Sequence, residues 1–258
     1  MNKFLKIALG LVCFIGLVIG AVFFFTAGMV ETADEFFAAV KRDDMKAAYS
    51  YLSEDFQAST SEAELAAYLA KNRLNQVSEA SWGARSVESG RGNLKGSITT
   101  DAGGVVPVTL GFVKGDEGWR IYTIQKPASG IQQESGGPQV PGEEELVRLV
   151  DGSVQVFVQS VQERSMETFY DHVSRLWQDQ FTVDKFDEAY APFYAMDVDF
   201  SLLRTVSPVF TSAPTIDENG VLEISGYYPT QPQQFQFRQN YIYEGLSWKL
   251  VGLYASIQ

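Results

Sequence analysis

The sequence predicts an α+β protein: one N-terminal transmembrane helix followed by two repeated domains, each with N-terminal helices packed on a curved antiparallel sheet. Three observations carry this. FFAAVKRDDMKAAY at residues 36–49 returns as FVQSVQERSMETFY at 157–170, so that Phe36, Val40, Met45 and Tyr49 match Phe157, Val161, Met166 and Tyr170 at a constant spacing of 121. After each copy the apolar period falls from near 3.6 to 2, the change from helix to strand. Between the copies, KPASGIQQESGGPQVPGEEE at residues 126–145 is rich in Gly, Pro, Ser and Gln, the composition of a linker.

Length and composition agree with two cores. The 258 residues exceed one ordinary domain, and 45% are hydrophobic, with 18 Phe and 12 Tyr. The net charge is −12, from 32 acidic and 20 basic residues without any Lys/Arg-rich run, which excludes a nucleic-acid partner bound through its phosphates. Cys13 is the single cysteine, so no internal disulfide or thiolate ligand set is expected. GLVC lacks the small residue that precedes a lipidated cysteine, and the apolar run continues far beyond it.

That run, residues 7–30, has no charged side chain over 24 residues. As a helix it would cover roughly 36 Å, enough to cross a hydrocarbon core of about 30 Å. Its length favours an uncleaved signal anchor over a cleaved signal peptide. Lys3 and Lys6 precede it and Glu31, Asp34 and Glu35 follow, so the basic flank, residues 1–6, is expected in the cytoplasm. The expected placement is a single pass through a bacterial inner membrane, with the C-terminal domains in the periplasm. Gly16 and Gly20 have the spacing of a helix-dimer contact, a possible homodimer.

The first domain is read as 31–126, the linker as 127–141 and the second domain as 142–258. Thr32 with Glu35 has capping-box spacing ahead of the stripe Phe36, Phe37, Val40. Asp44 and its counterpart Ser165 suit the N-cap of a second helix, and Ser61 with Glu64, or Thr182, that of a third. The pairing runs on without a gap through Ser53 with Ser174, Phe56 with Trp177 and Leu65 with Phe186. Strands are expected where Leu94, Gly96 and Ile98, then Val106, Val108, Leu110 and Phe112, then Trp119, Ile121 and Thr123 alternate with polar neighbours. Their counterparts run through Leu222 and Ile224, through Phe235, Phe237, Tyr241 and Tyr243, and through Trp248 and Leu250. GNLKGSI at Gly92 is matched to GVLEISG at Gly220, an offset of 128, and Trp119 to Trp248, an offset of 129.

This order of elements resembles the nuclear transport factor 2-like, cystatin-like superfamily, in both halves. The resemblance rests on the helix pairs around FFAAVKRDDMKAAYSYL and FVQSVQERSMETFYDHV, and on last strands opening GWRIYTI and SWKLVGL. It implies a cone-shaped domain with a cavity between sheet and helices, and no particular reaction. Its ketosteroid isomerase-like and polyketide cyclase-like members place an Asp, or an Asp with a His, inside the cone. Some membrane-anchored members are scaffold subunits of conjugation and type IV secretion machinery.

The first cone has no polar residue on the face of Val106, Val108, Leu110 and Phe112 and reads as a filled core. In the second, Gln239 stands where the first has Leu110, among Phe235, Phe237, Tyr241 and Tyr243, while Gln236, Arg238 and Asn240 point the other way. A buried amide must be satisfied, so Gln239, with Tyr228 and Tyr241, is the candidate ligand-binding set. A Gln paired with a tyrosine hydroxyl is the competing structural reading. His172, the only histidine, falls off the stripe Phe169, Tyr170, Val173 and is expected on the surface. Asp197 and Asp199 share one strand face without the further oxygen ligands of a cation site. Phosphate-binding glycine loops, HExxH, GxSxG and CxxC pairs are missing from the sequence, so no catalytic, metal or cofactor site is expected. The functional expectation is a non-enzymatic, membrane-tethered binding or scaffolding protein with a protein partner in the cell envelope, as a component of an envelope-spanning assembly. The alternative is a small apolar ligand binder or minor enzyme using the second cavity.

Overall fold

The computed structural model of the chain describes residues 26–88, 90–127, 140–196, 198 and 200–258, which divide into two units, 26–127 and 140–258. The first begins with one continuous helix, α1, over residues 26–41. Thr26, Met29, Ala33, Phe36, Phe37 and Val40 on it are buried, whereas Glu31, Asp34 and Glu35 are exposed. Met29 Sδ fills the space that a side chain on Gly92 would occupy.

This corrects the reading of the N-terminal segment. Residues 26–30 belong to an amphipathic helix of the first core, and no helix among the described residues is long and apolar enough to cross a membrane. The fold class is α+β without a described spanning helix, and the single-pass inner-membrane placement falls with it. Residues 1–25, including Gly16 and Gly20, lie outside the described residues, as does most of 127–141. The expected capping box at Thr32 is likewise replaced: in mid-helix, Thr32 Oγ1 lies 2.9 Å from Gly28 O and 3.3 Å from Trp119 O, and its one proton serves one of these carbonyls at a time.

Helices α2 (Met45–Ser50), α3 (Glu54–Ser59) and α4 (Glu62–Lys71) follow, each starting on a side-chain cap. Asp44 Oδ1 accepts from Ala47 N at 3.0 Å, and Ser61 and Glu64 form a complete capping box. Strands β1 (Val77–Glu88), β2 (Arg91–Thr100), β3 (Val105–Gly115) and β4 (Gly118–Gln125) then form an antiparallel sheet in chain order.

The second unit repeats the plan with α5 (Glu143–Glu163), α6 (Glu167–His172), α7 (Arg175–Gln180) and α8 (Val183–Tyr194). A 3-10 turn over Phe200–Arg204 precedes the sheet, and Asp197 and Asp199, read in the sequence as sharing a strand face, lie outside the described residues. The strands are β5 (Val209–Phe210), β6 (Thr215–Ile216), β7 (Leu222–Tyr228), β8 (Phe235–Glu244) and β9 (Ser247–Ile257), in the order β5-β7-β8-β9 with β6 also on β7. Ser165 is not the N-cap of α6. Met166 takes that position, and its N–H is met by Asp187 Oδ1 at 2.8 Å.

The echo in the sequence is a repeated set of bonds. Tyr49 OH donates to Gln57 O while Gln57 Nε2 returns to Tyr49 O, at 2.8 and 2.9 Å. Tyr170 and Gln178 do the same, at 3.1 and 2.7 Å. Asp43 and Arg164, again 121 apart, both close their helix in the left-handed region, at φ 59 and 54. Ser53 N and Ser174 N tie these helices to the last strands, on Ile121 O and Leu250 O, each at 2.8 Å.

The sheets are related by pairing rather than by the glycines first matched. Gly96 opposes Val108 and Gly226 opposes Phe237, while Leu94 opposes Leu110 and Ile224 opposes Gln239. GNLKG at 92–96 therefore corresponds to LEISG at 222–226, and the offset of 128 is corrected to 130. Both sheets carry a bulge in the last strand at the same place, opposite Gly111/Phe112 and Asn240/Tyr241.

Candidate functional site

These correspondences place the polar interior of the second unit against a less polar counterpart. Helix α5 contributes Asp151 and Ser153, the end of α6 His172, strand β7 Tyr228 and strand β8 Gln239 and Tyr241. At the matching positions the first unit has Val30, Thr32, Tyr51, Ile98, Leu110 and Phe112. The sequence-predicted set Gln239, Tyr228 and Tyr241 is thus buried in one core, but with partners of its own.

Tyr228 OH donates to Asp151 Oδ1 at 2.5 Å. Tyr241 OH lies 2.5 Å from Gln239 Oε1, 2.8 Å from Leu149 O and 3.0 Å from Ser153 Oγ. Ser153 Oγ in turn lies 3.3 Å from His172 Nε2. The chain of contacts runs from a half-buried histidine to a fully buried amide.

Gln239 is 0% exposed, and its Nε2 has no hydrogen-bond partner among the described residues. A phenol has one proton, so Tyr241 cannot donate to Leu149 O and Gln239 Oε1 together. Turning the amide would let Nε2 donate to the phenol oxygen and would leave Oε1 over instead. Either way one end of the amide is unmet, in a place where an unpaired polar group costs about 1–3 kcal/mol.

Burial governs the protonation of this cluster. It pushes the Tyr228 phenol up, reinforced by the Asp151 carboxylate it faces, and it pushes the Tyr241 phenol up as well. Burial also holds the His172 imidazole below its ordinary value, with the Lys249 ammonium adding to the effect. His172 is therefore not the surface residue expected. It does leave the apolar stripe of α6, but the side it turns to is covered by Ser153 of α5.

A pH dependence follows with a definite sign. The unfolded histidine takes up a proton near pH 6.5, while the folded one resists until lower pH. Its contribution to stability is complete above about pH 6.5 and declines as the pH falls toward the folded value. His172→Tyr, which restores the residue type of Tyr51, should lose this dependence. The difference in urea midpoint between wild type and variant is expected to move in favour of the variant between pH 7.5 and 5.5.

Three pockets of the second unit lie apart from this cluster. One of ≈ 600 Å³ is lined by Trp177, Phe181, Lys185, Phe186, Glu188, Ala189 and Tyr190. A second, of ≈ 150 Å³, lies between the 3-10 turn and the Thr230–Gln233 loop. The third, of ≈ 350 Å³, lies on the outer face of the sheet around Arg238 and Tyr254. Gln239, Tyr241, Ser153 and His172 line none of the three. Among the described residues no group of three or more His, Cys, Asp or Glu is placed to hold a metal ion.

Asp151 and Ser153 were missed in the sequence because the helix was read for its apolar stripe alone. The offset of 121, extended backwards from Phe157, sets Asp151 against Val30 and was the signal available.

No family model matches the chain, and no curated protein sequence does. Among solved structures, the crystal structure of a cystatin-like protein from Ruminococcus gnavus matches over 91% of this chain and 91% of its own, at 8% identity and a TM-score of 0.27. At that TM-score the α+β description rests on the helices and sheets of the chain itself.

Proposed function

We propose that this chain is a non-enzymatic binding protein built on two cystatin-like α+β units, and that the second unit makes the contact with a protein partner. The observation that supports this most is the groove between α7 and α8. Its aromatic floor is Trp177, Phe186 and Tyr190, and Phe181 at its edge is 46% exposed. The matching positions of the first unit, Phe56, Leu65, Leu69 and Thr60, are all buried. Phe186 and Tyr190 are themselves buried, so the two units differ at Trp177, half-buried against the buried Phe56, and at Phe181, exposed against the buried Thr60.

The occupant that fits is an apolar side chain of the partner. Lys185 Nζ and Glu188 Oε2 pair at 2.6 Å, so the charges on the rim answer each other and leave apolar surface to be covered. The groups that a catalyst would aim at a substrate, Asp151 and His172, are engaged with Tyr228 and Ser153 instead.

The test is crosslinking from a photoreactive phenylalanine at position 181 of the full chain, with position 71 as control, followed by Phe181→Ser. One partner crosslinked at 181 but not 71, and lost from the Phe181→Ser variant at unchanged thermal stability, is the expected result. Equal crosslinking at both positions, or a partner retained by Phe181→Ser, overturns the reading.

The unmet Gln239 amide favours a second reading, a small ligand held inside the second unit. Gln239→Leu separates the two. On the binding-protein reading it removes an unpaired polar group, leaves partner recovery intact and does not lower the urea midpoint. Loss of a bound small molecule or of an activity on that change would support the second reading instead.

A further inference from the structure

The turn between β6 and β7 holds the only asparagine of the chain that is followed by glycine, Asn219-Gly220. That pair carries a reaction of its own. Glycine has no Cβ to shield its nitrogen or restrain its backbone, so the main-chain nitrogen of Gly220 can reach the side-chain carbonyl carbon of Asn219. The N–Cγ bond forms, the Cγ–Nδ2 bond breaks, and the Gly220 proton leaves with Nδ2 as ammonia. Water then opens the five-membered imide at either carbonyl, its OH going to the carbon and its H to the nitrogen. Aspartate or isoaspartate is left at 219.

Asn219 is exposed, and Gly220 stands in the left-handed region at φ 80. The loop is tied to Asp217. The Gly220 N–H donates to Asp217 O at 3.0 Å, which occupies the nitrogen that would attack. Asn219 N and Val221 N donate to Asp217 Oδ1 at 2.9 and 2.8 Å, and Asn219 Nδ2 donates to Asp217 Oδ2 at 3.4 Å. The Val221 N–H above all holds the Asp217 carboxyl below its ordinary range, and its negative charge opposes the amide anion from which the attack starts. The first unit repeats the glycine without the reactive amide. On the offset of 130, Gly90, at φ 78, stands for Gly220, Ser89 for Asn219 and Val87 for Asp217.

We propose that Asn219 is a site of spontaneous deamidation whose rate Asp217 governs, by holding the Gly220 nitrogen and the Asn219 amide apart. The product weakens the edge that the turn closes. Isoaspartate adds a main-chain methylene to the turn and sets a further carboxylate beside Asp217 and Glu218. β6 is paired to β7 through Thr215 with Glu223 and Ile216 with Leu222, so little holds it once the turn is altered. Its release frees the β7 edge at Leu222 and Glu223 for another strand.

The test incubates the full chain in mildly alkaline buffer, folded or in guanidinium chloride, and follows Asn219 by peptide mass spectrometry with fragmentation that tells isoaspartate from aspartate. Conversion is expected to be about tenfold slower in the folded chain, the factor that one or two hydrogen bonds supply. Asp217→Ala should raise the folded rate by about tenfold, and Asp217→Asn, which keeps an acceptor without the charge, by less. Each variant is read well below its own thermal midpoint, so that folded rates are compared. In the converted chain, exchange protection should be lost at 215–216 and kept between β7 and β8. The proposal is overturned by a folded chain that gives no product at 219, by equal folded and denatured rates, or by an Asp217→Ala rate equal to wild type. Protection retained at 215–216 after full conversion overturns the release of β6.

Discussion

Phe157→Ala is expected to cost about 3–5 kcal/mol and to strip hydrogen-exchange protection from most of residues 140–258. Phe157 is fully buried, and its ring centre lies 5.1 Å from Tyr190, 5.2 Å from Phe193, 5.5 Å from Phe169 and 6.4 Å from Phe235. Three of these contacts are edge-to-face, so the ring joins α5 to α6 and α8 by packing and by quadrupole contacts. Aromatic neighbours on several sides cannot close in together on the space an alanine leaves. Against a domain stability of about 5–15 kcal/mol the loss is large. Urea denaturation with peptide-resolved exchange checks it, and Phe157→Leu, which keeps most of the volume, should cost less than half as much. A Phe157→Ala midpoint within error of wild type would mean that the ring is not the hub its contacts make it.

Gly96→Ala is expected to be the most damaging single-methyl change in the first unit, at about 3 kcal/mol, and Gly226→Ala to cost only about 1 kcal/mol. The local clashes are alike. A Cβ on Gly96 would lie 2.2 Å from Ser81 O, and one on Gly226 2.3 Å from Val209 O. What differs is whether the neighbouring strand can move away. β1 pairs with β2 from Val77 to Glu88, and its Trp82 is held by a 2.7 Å bond from Nε1 to Asp34 Oδ1 and by the Phe37 ring at 5.8 Å. β5 is two residues long and can detach alone. Thermal midpoints of the two variants rank these costs, and equal losses would refute the argument from strand length.

The strands that the sequence announced are those with one buried and one exposed face. Val108, Leu110 and Phe112, or Phe235, Phe237 and Tyr241, alternate with polar residues because one side of each strand meets the helices. β1 was not announced. In VSEASWGARSVE only Val77 is buried, so no period of two is written into it, and its place is set by pairing with β2. The start of α1 was hidden for another reason. Its buried residue Met29 lies inside the apolar run 7–30, and a transfer-type reading cannot separate apolar residues that face a protein core from those that face lipid.

The candidate site was legible to the extent that one strand could carry it. Alternation on β8 was enough to put Gln239 and Tyr241 in the interior. It could not supply Ser153, 88 residues from Tyr241, or the covering of His172 by α5, because these contacts depend on how helices lie across a sheet. Repeat comparison is the tool that could have gone further, since a polar residue standing against an apolar one at the same place in two copies needs no structure to be noticed.

The tyrosine–glutamine bonds shared by the two units bear on the order in which the chain acquires its shape. Each joins residues eight apart, Tyr49 with Gln57 and Tyr170 with Gln178. The strand contacts they prepare for, such as Ser53 with Ile121, span many times that distance. Closing a short loop costs little entropy, so both helix pairs can form on the ribosome or in a refolding experiment before any sheet exists to receive them. The first half of each unit then acts as a preformed template, and the slow step is left to the meander that must find it.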